Sequence, residues 1–270
     1  MKSKRITVVG AGVMGTAILE SLIARGHAPD SLRATTRTAE SAATLRERGI
    51  DASTDNLSAT EGAEIVIFSV KPMSIRQVAS AIATEGRLAS GALIVSIAAG
   101  VRSSVIEEAM ESSNPVIRAM PNLPCAIGRG MTVLSRGSTA TSDHVTMARA
   151  MFEPMGRVAE LEEKHMDTVT GLSASGPAFF YVIIEALADG AVARGLPRNV
   201  AIEMAAQIAY GAGSMVLETG RHPAALKDEV TTPAGCTIAG ILALEDGRIR
   251  SVMSRAVEVA SIRAGELGGD

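Results

Sequence analysis

The stretch that decides the fold is Ile6–Gly15, "ITVVGAGVMG". It opens with a short run rich in β-branched residues and passes directly into a glycine pattern, G-x-G-x-x-G. From Met14 to Ala24 the apolar residues recur at helical spacing, and Gly26 follows where such a helix would end. Strand, glycine pattern and helix in this order form the context in which a dinucleotide pyrophosphate is bound. The sequence therefore predicts a cofactor loop at Gly10, Gly12, Val13, Met14 and Gly15.

The choice of cofactor depends on the end of the second predicted strand, Leu32–Thr36. A site for NAD usually has Asp or Glu there, about 20 residues after the glycines, to hold the ribose 2′-hydroxyl. This chain has Thr36 and Arg37 instead, and a guanidinium pairs with a 2′-phosphate that a carboxylate would repel. We therefore expect NADP as the preferred cofactor, with NAD as the alternative. The competing interpretation is that Arg37 merely begins the next helix.

Further predicted strands lie at Glu64–Val70 and Ala92–Gly100, and both are nearly continuous apolar runs. Such runs are typical of a parallel sheet that is covered on both faces. Ligands of open α/β sheets bind beyond the carboxyl ends of the strands, so the loops after these strands should line the cofactor cleft. The predicted cofactor residues there are Val70, Lys71, Pro72, Ala98 and Ala99.

One more strand and its exit loop are predicted at Val116–Pro124, "VIRAMPNLP", and Asn122 of that loop is assigned to the cofactor. The first half of the chain thus reads as a Rossmann-type, doubly wound α/β domain over residues 1–161.

The second half, residues 162–270, loses the strand pattern and becomes helical. Gly176–Gly195 and Val200–Gly220 are apolar on nearly all sides. A helix of this kind must be buried, and so short a segment has too little volume to bury two of them. We therefore expect an all-α domain that dimerises with a second copy of the chain. The alternative is that these helices pack on the first domain.

Composition excludes several classes of function. The chain of 270 residues has a net charge of -3, no Trp, two Tyr and four Phe, which argues against nucleic-acid binding. The two cysteines do not suggest a disulfide framework, and the four histidines show no metal-ligand spacing. The apolar stretches are taken to fall short of a membrane span. The expectation is a cytoplasmic enzyme that acts on a small molecule without a metal.

Taken together, the motifs resemble one family. "GAGVMG", "VKP", "SIAAGV", "RAMPNLP", "SASGPAFFY" and "VLETGRHPAALKDEVTTPAGCTIAGILALE" occur in the order found in pyrroline-5-carboxylate reductases, over essentially the whole chain. The resemblance implies reduction of 1-pyrroline-5-carboxylate to L-proline with NAD(P)H, the last step of proline biosynthesis. It also implies a Rossmann domain followed by helical domains that interlock as a dimer, with decamers in many members.

The resemblance also assigns a substrate site. The family pattern Ser-Pro-Gly-Gly-x-Thr is matched by Thr232–Thr237, a bend that receives the substrate carboxylate in the family. It assigns Ser175, Thr232, Gly235, Cys236 and Thr237 to the substrate, with Thr237 as the catalytic partner of the ring nitrogen. Without the resemblance, a threonine here would be read as an ordinary helix N-cap.

Other positions either match the family or depart from it. Asn56 matches an Asp-Asn loop near the cofactor. Ala234 stands where the family usually has Gly, and a positive φ there would strain the bend.

Two other functions remain open at this stage. A related imine or β-hydroxyacid reductase would share the architecture, and the hydroxyacid enzymes need a well-placed lysine in the helical half. Lys164 and Lys227 are the only lysines there, and neither lies in that setting. A regulator that binds NADP(H) without turnover is the second alternative, and it would show no substrate-dependent oxidation.

Overall fold

The computed structural model describes residues 3–111 and 113–268. The chain divides into two compact units, which are treated separately below. Unit 1 is Met1–Ala174 together with Val259–Asp270, and unit 2 is Ser175–Glu258.

Unit 1 is built on a single sheet. Within the described residues the sheet has eight strands in the order β3-β2-β1-β4-β5-β6-β7-β8. The strands are β1 (Ile6–Val9), β2 (Leu32–Thr35), β3 (Asp51–Ser53), β4 (Ile65–Phe68), β5 (Leu93–Ser96), β6 (Val116–Met120), β7 (Gly130–Arg136) and β8 (Gly156–Glu160). All neighbours pair in parallel except β6 and β7, which are antiparallel.

Helices cover the sheet of unit 1. They are α1 (Val13–Ala24), α2 (Ala39–Glu47), α3 (Asn56–Thr60), α4 (Ile75–Glu85), α5 (Ser103–Met110), α6 (Ser142–Phe152) and α7 (Met166–Val169). Successive residues of one strand enter different apolar clusters: Ile65 and Ile67 belong to one, whereas Val66 and Phe68 belong to the other. The central strands are thus buried on both faces, which explains their continuous apolar sequences.

The predicted doubly wound α/β fold is confirmed, with one addition at the edge. The sequence predicted strands only as far as Val116–Pro124, whereas β7 and β8 extend the sheet beyond it. The connection from β6 to β7 is a short turn, Leu123–Ile127, and so short a connection returns the chain antiparallel. The second strand ends at Thr35, one residue before the predicted end.

Unit 2 is helical, as predicted, and no strand follows β8 in the described part of the chain. Its elements are α8 (Gly176–Ala193), α9 (Arg198–Thr219), α10 (Pro223–Glu229), α11 (Cys236–Asp246) and most of α12 (Ile249–Leu267). The buried cluster between α8 and α9 consists of Ala188, Ala201 and Ala205. Larger apolar side chains such as Phe180, Tyr181 and Ile208 are exposed instead.

The prediction that the apolar stretches are too short to cross a membrane is wrong as to length. The helical run Glu163–Ala193 has 31 residues and α9 has 22, and both are long and apolar enough to span a bilayer. Length and composition alone do not separate a membrane helix from one that is covered by another protein chain.

Candidate functional site

The glycine loop lies between β1 and α1, at the carboxyl edge of the sheet. Gly12 is the N-cap of α1, no side chain caps the helix there, and its first turn contains no acidic residue. The first amides of a helix have no partner within the helix and attract an anion. The start of α1 therefore fits a pyrophosphate through the backbone of Val13, Met14 and Gly15.

Two glycines of this loop are required by close packing. Gly10 has a φ of +85°, and a Cβ there would lie 2.5 Å from Cγ1 of Val70. A Cβ at Gly15 would lie 3.0 Å from Cγ1 of Val8 and from Oγ of Ser69. The loop thus lies against the end of β4, and the structure brings the predicted residues Gly10 and Val70 together.

Thr35 joins the glycine loop to the second predicted cofactor region. Its hydroxyl accepts a hydrogen bond from the Gly10 amide at 3.1 Å and donates one to Oδ1 of Asn56 at 2.7 Å. Its carbonyl accepts from the Ala11 amide at 2.6 Å. Asn56 is thereby held beside the glycine loop, as its assignment requires. The sequence left Thr35 out of the site, although a threonine at a strand end beside the loop was a usable signal.

The two residues assigned to the 2′-phosphate have different environments. Thr36 is buried, and its hydroxyl donates to the carbonyl of Thr38 at 2.9 Å. Arg37 is exposed and lies before α2, whose N-cap is Thr38. Arg37 thus lies just outside the helix, and its contact with the cofactor stays a prediction. The side chain of Arg37 is exposed to solvent, whereas the Thr36 hydroxyl already donates within the loop.

The loops after β4 and β5 lie at the same edge of the sheet. Lys71 is exposed and precedes the turn Pro72–Ser74. Ala98 is buried and Ala99 is half-buried. At Gly100 the backbone of Ala264 and Gly268 in the C-terminal segment of unit 1 approaches so closely that a Cβ would collide with it. This loop is accordingly packed in place.

The side chain of Asn122 forms hydrogen bonds with the backbone of two other segments of unit 1. Its Nδ2 donates to the carbonyl of Ser173 at 3.1 Å, and its Oδ1 accepts from the amide of Met131 at 2.9 Å. Ser173 belongs to a π-helical turn, Thr170–Ala174, that follows α7. The amide group thus fixes the loop after β6, and its contact with the cofactor stays a prediction.

A buried ion pair that the sequence analysis missed lies beside these loops. Nη1 of Arg118, which is only 3% exposed, donates to Oε1 of Glu163 at 2.9 Å. The amide and hydroxyl of Ser103 donate to the same carboxylate, each at 2.7 Å. Burial acts to raise the pKa of Glu163, but the hydrogen bonds from Ser103 and Arg118 outweigh it and hold the pKa below 4.5. An arginine inside the apolar strand "VIRAM" was the signal available in the sequence.

The predicted substrate bend lies in unit 2 and leads into α11. Gly235 is the N-cap of that helix and no side chain caps it, so the threonines do not act as ordinary caps. Thr232 folds back with its hydroxyl against the α-carbon of Gly235, where a Cβ would collide with it. The first turn of α11 has no acidic residue, and a carboxylate fits these free amides.

The other predicted residues of the bend lie at or beside the start of α11. Cys236 is exposed and Thr237 is half-buried, and they are the first two residues of the helix. Ser175 is half-buried and immediately precedes α8. Ala234 has a φ of +55°, so the strain expected from an alanine at a glycine position is present.

Comparison with known proteins identifies the family. Over 99% of both chains, the protein is 40% identical to the pyrroline-5-carboxylate reductase of Methanosarcina acetivorans. The chain belongs to the pyrroline-5-carboxylate reductase family. Residues 163–267 match the family model for pyrroline-5-carboxylate reductase dimerisation, and residues 5–100 match that for NADP oxidoreductase, coenzyme F420-dependent.

Solved structures of the family share the fold throughout. The pyrroline-5-carboxylate reductase of Coxiella burnetii is 31% identical, with a TM-score of 0.89 over 99% of this chain and 100% of that one. The pyrroline carboxylate reductase of Plasmodium falciparum, solved with NADP bound, is 26% identical with a TM-score of 0.89 over 100% of both chains. The dimerisation model covers both long apolar helices, which indicates a homo-oligomer.

Proposed function

We propose that this protein reduces 1-pyrroline-5-carboxylate to L-proline, with NADPH as the preferred reductant and NADH as the alternative. The observation that carries the proposal is the full-length identity of 40% to a pyrroline-5-carboxylate reductase. The glycine loop of unit 1 and the Thr232–Thr237 bend of unit 2 supply the two binding features that this reaction needs.

Binding of NADPH is supported by the fit of unit 1. The uncapped start of α1 suits the pyrophosphate, Arg37 suits the 2′-phosphate, and Asn56 is held beside the glycine loop by Thr35. The relative from Plasmodium falciparum was solved with NADP bound. The loops at Lys71–Pro72, Ala98–Ala99 and Asn122 complete the proposed cofactor site.

The substrate is proposed to bind with its carboxylate at the start of α11. Gly235 lets the backbone approach the anion, while the hydroxyl of Thr232 and the amide of Cys236 add hydrogen-bond donors. The side chain of Thr237 forms a hydrogen bond with the ring nitrogen. Ser175, at the start of α8, is proposed as a further substrate contact.

The chemistry asks little of the side chains. Bound NADPH supplies a hydride for the imine carbon, and the nitrogen of the protonated imine becomes the amine of proline. The chain contributes by orienting the ring of the substrate toward the nicotinamide and by excluding water from the site. No Asp, Glu or His is assigned as a general acid.

The proposal extends to organisation and location. We place the boundary between the cofactor domain and the helical domain at residues 161 and 162, near the start of the dimerisation match at residue 163. The helical domains form a homodimer, with a decamer as the larger alternative. The substrate is a small molecule, neither nucleic acid nor a membrane is a partner, and the protein acts in the cytoplasm.

The test is steady-state oxidation of NADPH and of NADH by the purified protein, with and without 1-pyrroline-5-carboxylate, and with the product assayed as proline. We expect oxidation that depends on the substrate, proline in equal amount, and a higher kcat/KM with NADPH. Binding of NADPH without turnover would overturn the enzymatic proposal in favour of a regulator. Turnover of a hydroxyacid in place of the imine would overturn the substrate assignment.

A further inference from the structure

The Arg118–Glu163 ion pair has no part in the chemistry proposed above. A guanidinium that is 3% exposed must keep an anion beside it, because an unpaired buried charge is costly. Glu163 is that anion, and its Oε1 accepts a hydrogen bond from Nη1 of Arg118 at 2.9 Å. The Oδ1 atom of a second carboxylate, Asp167, lies 4.0 Å from Nη2 of Arg118, which is beyond hydrogen-bond distance. Among the described residues, Nη2 of Arg118 and Oδ1 of Asp167 are buried without a hydrogen-bond partner.

The carboxylate of Glu163 contacts both the start of α5 and strand β6. Ser103 is the first residue of α5 and directly follows the loop after β5. Arg118 lies in β6 and is paired in register with Ser96, near the end of β5. Glu163 therefore bridges the segments that adjoin two neighbouring cofactor loops, Ala98–Val101 and Pro121–Asn122.

The start of α5 depends on this bridge. Its N-cap residue, Arg102, provides no side-chain cap. The carboxylate of Glu163 takes that role from 60 residues away, since it accepts from both the amide and the hydroxyl of Ser103. A negative charge at a helix N-terminus is also favoured by the helix dipole. Loss of the carboxylate would thus loosen the helix that holds the loop after β5.

A second attachment reinforces the first. The segment 163–174 begins at Glu163, which is bound to β6 through Arg118, and near its end the carbonyl of Ser173 accepts from Asn122. Both ends of the segment are therefore tied to β6 or to the loop that follows it. The segment leads directly to Ser175, the proposed substrate contact.

We infer that Glu163 is a positioning residue of the cofactor site, which fixes the loop Ala98–Val101 relative to the loop Pro121–Asn122. The inference rests on the proposed function, because those loops matter only if they hold NADPH. The hydrogen-bond partners of Glu163 are Ser103 and Arg118, so it is assigned to act through the loops and not on the cofactor or the substrate directly. Its removal should weaken cofactor binding more than it changes the affinity for the substrate.

The experiment compares Glu163→Gln with the wild-type protein in its native oligomeric state. Glutamine has the same shape, but it lacks the charge and presents an amide donor where a carboxylate oxygen accepted. We expect the NADPH dissociation constant, measured by fluorescence titration, to rise about tenfold. A loss of active protein would lower the amplitude of the titration without raising this constant. The KM for 1-pyrroline-5-carboxylate should change by less than about twofold, which separates a loss of cofactor positioning from damage to the whole site.

Glu160→Gln is the matched control. Glu160 pairs with Arg136 at 2.9 Å on the outer strands of the same sheet, but this pair joins neither loop. Its NADPH dissociation constant should equal that of the wild type. An equal rise in both variants would overturn the inference, because surface charge would then explain the effect. So would a folded Glu163→Gln protein with unchanged NADPH affinity.

If Glu163→Gln does not fold, Ser103→Ala gives the test, since it removes only the hydroxyl bond to Glu163. The expected result is a smaller rise in the same constant, and no rise would overturn the inference. Failure of the proposed function gives a different pattern. A wild-type protein that binds NADPH without forming proline overturns the reaction and leaves Glu163 testable by titration, whereas one that binds no NADPH overturns both.

Discussion

Phe68 and Phe180 show how differently the two units are stabilised. Phe68 lies in β4 of unit 1 and has 0% exposure, whereas Phe180 lies on α8 of unit 2 and is 52% exposed. Unit 1 buries both faces of its strands under its own helices. Unit 2 buries three alanines between α8 and α9 and leaves its large apolar side chains outward. Unit 1 thus buries its large apolar side chains in its own core, whereas unit 2 by itself does not.

The difference follows from the geometry of the elements. A parallel strand inside a sheet is covered on both faces by helices of its own domain, so its apolar residues are buried within that domain. Two helices that meet through alanines approach closely but hide little apolar area from water. The remaining apolar area is exposed in the single chain, and the match to a dimerisation family indicates a homo-oligomer.

The largest expected effect compares the same substitution in the two units. Phe68→Ala should lower the free energy of unfolding by about 3–5 kcal/mol, because it leaves a cavity in a closed core. Phe180→Ala should instead raise the dissociation constant of the dimer by about tenfold, because Phe180 becomes buried only on assembly. Denaturant unfolding and analytical ultracentrifugation at several protein concentrations measure both quantities.

Two outcomes would contradict this contrast between the units. If the midpoint of the Phe180→Ala variant does not depend on protein concentration, the exposed face of unit 2 is not covered by a second copy. If the midpoint of Phe68→Ala does depend on it strongly, unit 1 is not stabilised by its own core alone.

The next effect separates the roles of the units in catalysis. Thr237→Ala in unit 2 should lower kcat/KM for 1-pyrroline-5-carboxylate about 100-fold, because the ring nitrogen loses its hydrogen-bond partner. The NADPH dissociation constant should stay within about twofold of the wild-type value. Stopped-flow turnover and fluorescence titration measure the two. Thr219→Ala is the control, since the Thr219 hydroxyl donates to the carbonyl of Met215 within α9. Equal loss of turnover and NADPH binding would mean that the substrate site is misplaced.

A smaller effect is expected from the cofactor side, in unit 1. Arg37→Ala should lower the ratio of kcat/KM with NADPH to that with NADH about tenfold, because the guanidinium pairs only with the 2′-phosphate. Arg25→Ala removes the same charge at the opposite end of α1 and should leave the ratio unchanged. Steady-state rates with both cofactors give the ratio. A ratio that Arg37→Ala does not alter would remove the argument for NADP from this position.

The sequence alone was sufficient to predict the structural features that depend on a local pattern of residues. The glycine loop, the strands at Ile65–Phe68 and Leu93–Ser96, and the two long helices of unit 2 follow from periodicity and from glycine positions. For Ala234, the resemblance supplied the glycine pattern and indicated strain only if φ were positive, and the φ of +55° meets that condition.

The missed features depend on residues far apart in the chain. Glu163 caps a helix that begins 60 residues earlier, and no local pattern marks such a pair. Strand β8 was missed because it lies at the edge of the sheet and its residues are half-buried or exposed, whereas β7 is largely buried but carries Thr132 and Ser135 among its apolar residues. The hydrogen bonds of Asn122 to Ser173 and Met131 were missed for the same reason, because only the folded chain brings these residues together.

The smallest expected effect tests whether strain in unit 2 is local or depends on assembly. Ala234→Gly should raise the free energy of unfolding by about 0.5–1 kcal/mol, since glycine adopts a φ of +55° without the steric cost that alanine has. The same substitution at Ala239, an exposed position within α11, should lower it by about 1 kcal/mol through loss of helix propensity. Thermal unfolding at two protein concentrations measures both variants. Because the strain lies within one bend, the gain at Ala234 should be the same at both concentrations, unlike the effect at Phe180. A gain that appears only at the higher concentration would show that the bend is shaped by the second copy, and the contrast between the two units would then extend to the substrate site itself.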